Sequence, residues 1–163
     1  MDKIKKFSVI VVLLLMSGIY AGAQTTGVKI GAVHPDLKIK ITRCEAAGKT
    51  VVIDLVFENV GGNDADLTIV GGDSNKSVAY DDEGNVISYG LFKVKLGNTD
   101  LSKWSVAQTL PAGVPIKGRI QIEGVQESAT KFSRINLMMS SGAWGFRDKI
   151  SKISNVPISR EGD

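Results

Sequence analysis

One cysteine and one histidine are all the thiol and imidazole chemistry that this 163-residue chain contains. The single cysteine, Cys44, excludes a disulfide within the chain, so the fold must be held by packing. No second cysteine or histidine lies near it in sequence, and Cys44 reads as a small, half-buried strand residue rather than an activated thiol. The single histidine, His34, precedes Pro35 in what reads as a lead-in to the first strand. A dyad with Cys44 would require the fold to bring the two together. No Gly-x-Ser-x-Gly elbow occurs, and Ser140-Ser141 has only distant His34 as a base. The glycine pairs Gly61-Gly62 and Gly71-Gly72 precede no helix, so neither makes a phosphate cradle. Internal repeats are absent, which excludes propellers and solenoids. Past the amino terminus there is no amphipathic helical stretch and no long apolar run.

The long apolar run that does exist sits at the very start. Asp2, Lys3, Lys5 and Lys6 form a mostly basic n-region, residues 7–16 are apolar, and Ala21-Gly22-Ala23 offers small residues to a leader peptidase. The run is too short for a membrane-spanning helix. Residues 1–23 therefore read as a signal peptide and Gln24 as the first mature residue, with a secreted or periplasmic product and no stable membrane insertion after cleavage. No cysteine stands at the cleavage point, which argues against a lipid-modified terminus. The formal net charge of +3 owes much to the leader, so the remaining chain is nearly neutral. Its basic residues are scattered and often beside acidic ones, the opposite of a concentrated nucleic-acid-binding stripe. Nucleic acid is not an expected partner.

Residues 24–35 are polar and small and read as a flexible segment. From Asp36 onward, period-two alternation takes over. Leu37, Ile39 and Ile41 alternate with Lys38, Lys40 and Thr42; Val51, Ile53, Leu55 and Phe57 form the second arm of a hairpin. Short strands follow around Leu67 and Ile69 and over 77–80, then a longer one over 86–96, with Asp81-Asp82-Glu83-Gly84-Asn85 as a turn. Residues 101–109 read as irregular. Ile116, Ile120 and Ile122 mark another strand, Phe132, Ile135, Leu137 and Met139 the next, and 153–158 the last. The expectation is a single all-β domain over 36–163: an antiparallel, immunoglobulin-like β-sandwich of about seven to nine strands.

The stretch from Val51 to Met139 resembles the secreted bacterial immunoglobulin-like domains labelled DUF4352-type, similar in fold to the mycobacterial immunoprotective extracellular antigens. The resemblance rests on a first core strand ending in asparagine (Val52-Ile53-Asp54-Leu55-Val56-Phe57-Glu58-Asn59). It rests also on the acidic turn after Tyr80 and on the Pro111-Ala112-Gly113 turn leading a strand that contains Gly118. The leader and overall length are similar to those of small exported proteins of the Bacteroidales. The resemblance stops at Ser140 and implies a fold without an agreed activity.

Candidate contact residues are Trp104, Trp144, Phe146 and Arg147, because large rings in loops present apolar faces with polar tips to sugars or peptides. The alternative for the rings is that they cap the ends of the core. Asp81, Asp82, Glu83 and Asn85 are the weak metal candidates, with Asp64, Asp66 and Asp73 in neighbouring loops; without EF-hand spacing they read more simply as solvated turn residues, and no cofactor or metal is expected. Tyr80 and Tyr89, flanking that turn, read as cross-strand partners. The expected function is a non-enzymatic binding or structural module of the cell envelope, with an unknown protein or glycan partner. The alternatives are a hydrolase with a loop-built acidic site and an assembly subunit that pairs through an edge strand.

Overall fold

The computed structural model describes residues 27–73 and 76–160. The proposed leader, 1–23, lies outside them. Two β-sheets pack face to face as a sandwich. The first contains β1 (Lys29–Ile30), β4 (Ala65–Val70), β5 (Val78–Asp81), β6 (Val86–Ile87), β8 (Ser105–Leu110), β10 (Lys131–Ser141) and β11 (Phe146–Pro157). The second runs β12 (Ser159–Arg160), β2 (Leu37–Ala47), β3 (Thr50–Asn59), β9 (Ile116–Ile122) and β7 (Phe92–Leu96) in that spatial order. All pairings are antiparallel except β12 with β2. The expected antiparallel sandwich is present, with twelve strands; three of the additional ones, β1, β6 and β12, are only two residues long.

Alternation sets the core. Along β3 every second residue is buried, so Val51, Ile53, Leu55 and Phe57 line the interior while Val52, Asp54, Val56 and Glu58 face outward. Phe57, Phe92 and Phe132 are the largest fully buried side chains. Strands β2 and β10 lose the strict period at a bulge. In β2 the inward residues are Leu37, Ile41 and then Cys44, because register shifts between Ile41 and Arg43. In β10 the inward set steps from Phe132 to Ile135, with a register shift against β5 between Phe132 and Arg134. Strand β10 pairs with β11 over most of its length, while its other edge is divided between β5 and β4. Ser77 fills that fork: its hydroxyl donates to the Val70 carbonyl and accepts from the Met138 amide at 3.0 Å.

Five sequence expectations need correction. Residues 86–96 are not one strand. Tyr89 sits at φ 53° in a short 3-10 turn (Tyr89–Leu91), and the chain changes sheets there between β6 and β7. For the same reason Tyr89 belongs to a turn and is not a cross-strand partner, unlike Tyr80, which lies opposite Val86 with Arg134 over its ring at 5.0 Å. The irregular reading of 101–109 missed β8, whose Ser105, Ala107, Gln108 and Thr109 carry almost no apolar signal although Val106 and Leu110 are buried. The last strand is far longer than 153–158, because β11 starts at Phe146 and its outward residues, Arg147, Asp148 and Lys149, mask the pattern. The described part of the lead-in is built into the sandwich. β1 pairs with β11, Gly31 donates to the Lys152 carbonyl at 2.8 Å, and Val33 is buried.

Cys44 is buried and free, and burial, reinforced by neighbouring Glu45, pushes its thiol up to about 12. In the folded protein Cys44 should therefore react with a disulfide reagent at pH 8 far more slowly than after denaturation. Equal rates in native and denatured protein would place the thiol at the surface.

Candidate functional site

Three loops meet at one end of the sandwich and enclose a recess of about 380 Å³ lined by His34, Asp36, residues 61–65, Ala143 and Trp144. Each loop is tied down by its own polar contacts. Asn59, fully buried at the end of β3, donates through Nδ2 to the carbonyls of Asn63 (2.8 Å) and Leu110 (3.0 Å) and accepts from the Gly61 amide at 3.0 Å. That one side chain shapes the turn over 60–64. The 142–144 loop hangs from Asp66, whose carboxylate accepts from the amides of Gly142 (2.9 Å) and Ala143 (2.8 Å), while the Trp144 amide donates to the Ser141 hydroxyl at 3.1 Å. In the 33–36 segment the Asp36 amide donates to His34 Nδ1 at 3.2 Å, and the Val60 amide donates to the Asp36 carbonyl at 2.8 Å.

The aromatic wall is a cluster of three rings with nearly one orientation. His34 and Trp144 have centroids 5.2 Å apart at 16°, Trp144 and Phe146 6.4 Å at 10°, and His34 and Phe146 6.4 Å at 25°. These separations and small angles make an offset stacked cluster, a platform of which His34 and Trp144 line the recess. Lys149 closes one side, with Nζ 5.5 Å from the Phe146 ring centre and 3.3 Å from the Val33 carbonyl it donates to. Phe146 is buried and Trp144 half-buried at the recess. The same recess is lined by the polar residues Asp36, Asn63 and Asp64 and by the Gly61-Gly62 pair. Asp64 is itself positioned, accepting from the Ala112 amide at 3.0 Å.

Of the candidate contact residues, the fold brings together Trp144 and Phe146. Phe146 supports the platform from within the core instead of contacting the recess, as the core-capping alternative required. Arg147 is exposed on β11 and does not line the recess. Trp104 is elsewhere. It precedes Ser105, opposite Val70 at one end of β4, whereas the Trp144 loop hangs from Asp66 near the other end. Four residues of extended chain separate those points by about 13 Å. Trp104 is 58% exposed, with Lys103 Nζ 5.1 Å from its ring centre. The two tryptophans do not share a surface.

The acidic turn is neither solvated throughout nor a metal cage. Asp81 is buried and spends its carboxylate inside the turn, accepting from the Glu83 amide (3.0 Å), the Asn85 amide (2.8 Å) and Asn85 Nδ2 (2.8 Å). Asp82 turns away to accept from the Thr130 hydroxyl and amide. Among the described residues no group of three or more His, Cys, Asp or Glu side chains is placed to hold a metal ion. Among them, too, no helix is long and apolar enough to cross a membrane.

Sequence reasoning missed His34, Asp36 and Asp64 as recess residues. His34 was legible as a single residue without chemistry, and only the docking of β1 on β11 brings its ring onto Trp144. The usable signal was the Asn59-to-Asp66 run of Gly, Asn and Asp, dense in groups that order a loop by local hydrogen bonds.

The amides of Gly142 and Ala143 hold the Asp66 carboxyl below the ordinary carboxylate range. A depressed folded-state value stabilises the loop above the unfolded value of about 3.9, and that contribution is lost as pH falls through the folded value. Acidification from pH 5 to below 3 should therefore release the 142–144 loop and change Trp144 emission. Asp66→Asn should abolish that step. A step that persists unchanged in Asp66→Asn would assign it to another carboxylate.

No protein-family model matches the chain, and no curated protein matches it. Among solved structures, the chain is similar to a family 123 glycoside hydrolase from Clostridium perfringens at 11% identity and TM-score 0.40, covering 82% of this chain and 27% of that one. It is similar also to AvmM, which catalyses macrocyclization in alchivemycin A biosynthesis, at 10% identity and TM-score 0.38, covering 78% of this chain and 90% of that one. Neither likeness bears on the chemistry of the recess, and the chain spans about a quarter of the hydrolase's length.

Proposed function

We propose that the protein is an exported, non-enzymatic binding module of the cell envelope whose contact site is the Trp144 recess, and that it takes a neutral saccharide. The observation that carries this reading is the Trp144 ring, stacked with His34 at the recess and backed by Phe146, beside the polar residues Asp36, Asn63 and Asp64. A sugar ring has one apolar face and a rim of hydroxyls, so it needs flat apolar area next to hydrogen-bond acceptors. A recess of this volume falls at the small end of ligand sites and suits one or two rings. The contact groups are held by backbone and side-chain bonds before any ligand arrives, which lowers the ordering cost of binding.

The hydrolase alternative has two carboxylates at the recess, Asp36 and Asp64, yet both stand at solvent, with the Asp36 side chain 45% exposed. A carboxylic acid that donates a proton to a glycosidic oxygen is typically surrounded by apolar groups. The binding reading is preferred on that ground. A thermal-shift and calorimetric screen against neutral oligosaccharides of glucose, galactose, mannose, xylose and N-acetylglucosamine tests it. At least one should raise the melting temperature of the wild type and fail to do so for Trp144→Ala. No response from any of them, or release of shorter sugars during the titration, would overturn the proposal.

A further inference from the structure

Several basic residues scattered along the sequence lie on the outer face of the five-stranded sheet, together with Glu45, Asp54 and Glu58. Alternation sends every second residue of β3, β9 and β7 to the outside of the five-stranded sheet, and the bulge in β2 leaves both Lys40 and Arg43 exposed on it. Register then aligns them in two neighbouring rungs. One reads Lys40, Val56, Lys117 across β2, β3 and β9. The next reads Arg43, Asp54, Arg119, Lys95 across β2, β3, β9 and β7. Rungs lie about 7 Å apart and adjacent strands about 4.8 Å apart, so five cations share a small patch with Asp54, and Glu45 borders it on Arg43.

Two carboxylates touch these cations and both are committed: Glu45 accepts from Arg43 Nη1 at 2.9 Å. Asp54 accepts Arg43 Nε on Oδ2 and Arg119 Nε on Oδ1, each at 2.8 Å. Burial alone would raise the Asp54 carboxyl, but the two guanidiniums outweigh it and hold the carboxyl below the ordinary range. Lys40, Lys95 and Lys117 form no ion pair among the described residues. Lys95, Lys117 and Arg119 border a groove of about 610 Å³ that also contains Thr42, Val56 and the small residues Gly97 and Gly118.

We propose that this outer face of the five-stranded sheet binds an anionic polysaccharide, at a site separate from the Trp144 recess. Three ammonium groups without ion-pair partners among the described residues raise the local positive potential, and a chain bearing spaced carboxylates or sulfates neutralises them. The Thr42 hydroxyl, at the groove, can accept from a sugar hydroxyl beside the charges. The other polyanionic surfaces fit poorly. Single-stranded nucleic acid binds by stacking its bases on aromatic side chains, and the two rungs carry none. A bilayer surface is engaged by basic groups together with inserted apolar side chains, and none of the large exposed hydrophobics, such as Trp104, Tyr89 or Ile150, belongs to these rungs.

The test is calorimetric titration of the purified protein with sodium polygalacturonate, its fully methyl-esterified form, a DNA duplex and vesicles containing anionic lipid. Polygalacturonate should bind, and affinity should fall steeply with added salt. The esterified polymer should not bind. Lys40→Glu combined with Lys117→Glu should weaken polygalacturonate binding by at least about tenfold. Lys40→Gln with Lys117→Gln should give a smaller loss, and an unchanged denaturation midpoint checks that both variants are folded. Trp144→Ala should bind polygalacturonate as the wild type does, which separates this proposal from the recess. Undiminished binding by the folded charge-reversed variant, equal binding of the ester, or tighter binding of the duplex or the vesicles would overturn it.

Discussion

Truncating Phe57 to alanine should destabilise the protein by about 3–5 kcal/mol, the range for removing a buried aromatic ring. Phe57 is fully buried on the central strand β3, paired with Ile39 on one side and Ile116 on the other. Its ring lies directly over Gly118: a Cβ there would stand 2.5 Å from Phe57 Cε2. The space left by the ring is thus floored by backbone, which cannot collapse to fill it. The same geometry makes a second statement testable. Gly118→Ala alone must push the ring aside and should destabilise. In the Phe57→Ala background its methyl enters vacated space, so the double variant should cost less than the sum of the single ones. Urea denaturation with an unchanged slope measures all three. Strict additivity would show that the two residues do not meet.

Asn59→Ala should cost about 3 kcal/mol, since three hydrogen bonds at roughly 1 kcal/mol each are lost from a fully buried group. The effect on the recess should exceed what stability alone explains. Without Asn59 the Asn63 carbonyl and Gly61 amide lose their shared anchor, and the wall carrying Asp64 loosens. Asn59→Asp offers no rescue, because a carboxylate oxygen would then face the carbonyls of Asn63 and Leu110. If Asn59→Ala keeps wild-type stability and wild-type ligand response in the folded state, the turn over 60–64 is not organised by this side chain.

How much of this was legible in the sequence differs between core and site. Strands β3 and β9 could be read residue by residue, because they are central, bury one face and obey the period of two. Strand β8 could not, since it lies at the end of its sheet's pairing order and holds its place with Val106 and Leu110 alone among polar neighbours. The break at Tyr89 was hidden for a different reason. A left-handed tyrosine has no sequence signature, and the space that receives it is set by Gly72, where a Cβ would sit 2.2 Å from the Tyr89 carbonyl oxygen. The aromatic residues of the site were visible but not their roles. Trp144 and Phe146 flank one glycine in sequence, yet one lines the recess and the other supports it from the core, a division that depends on where β11 begins. His34 and Asp36 reach the site through the pairing of β1 with β11 and the start of β2, contacts distant in sequence that local pattern does not encode.

The chain has two tryptophans, and only Trp144 lies at the recess. Replacing Trp104 with phenylalanine leaves Trp144 as the single emitter. Fluorescence titration of Trp104→Phe with the neutral oligosaccharide that most raises the wild-type melting temperature is the most direct test of the recess as the binding site. The emission of Trp144 should change saturably, with a midpoint equal to the calorimetric one, while Trp144→Phe should show no ligand-dependent change in Trp104 emission. A saturable change from Trp104 with a silent Trp144 would contradict the account and move the binding site to the opposite end of β4.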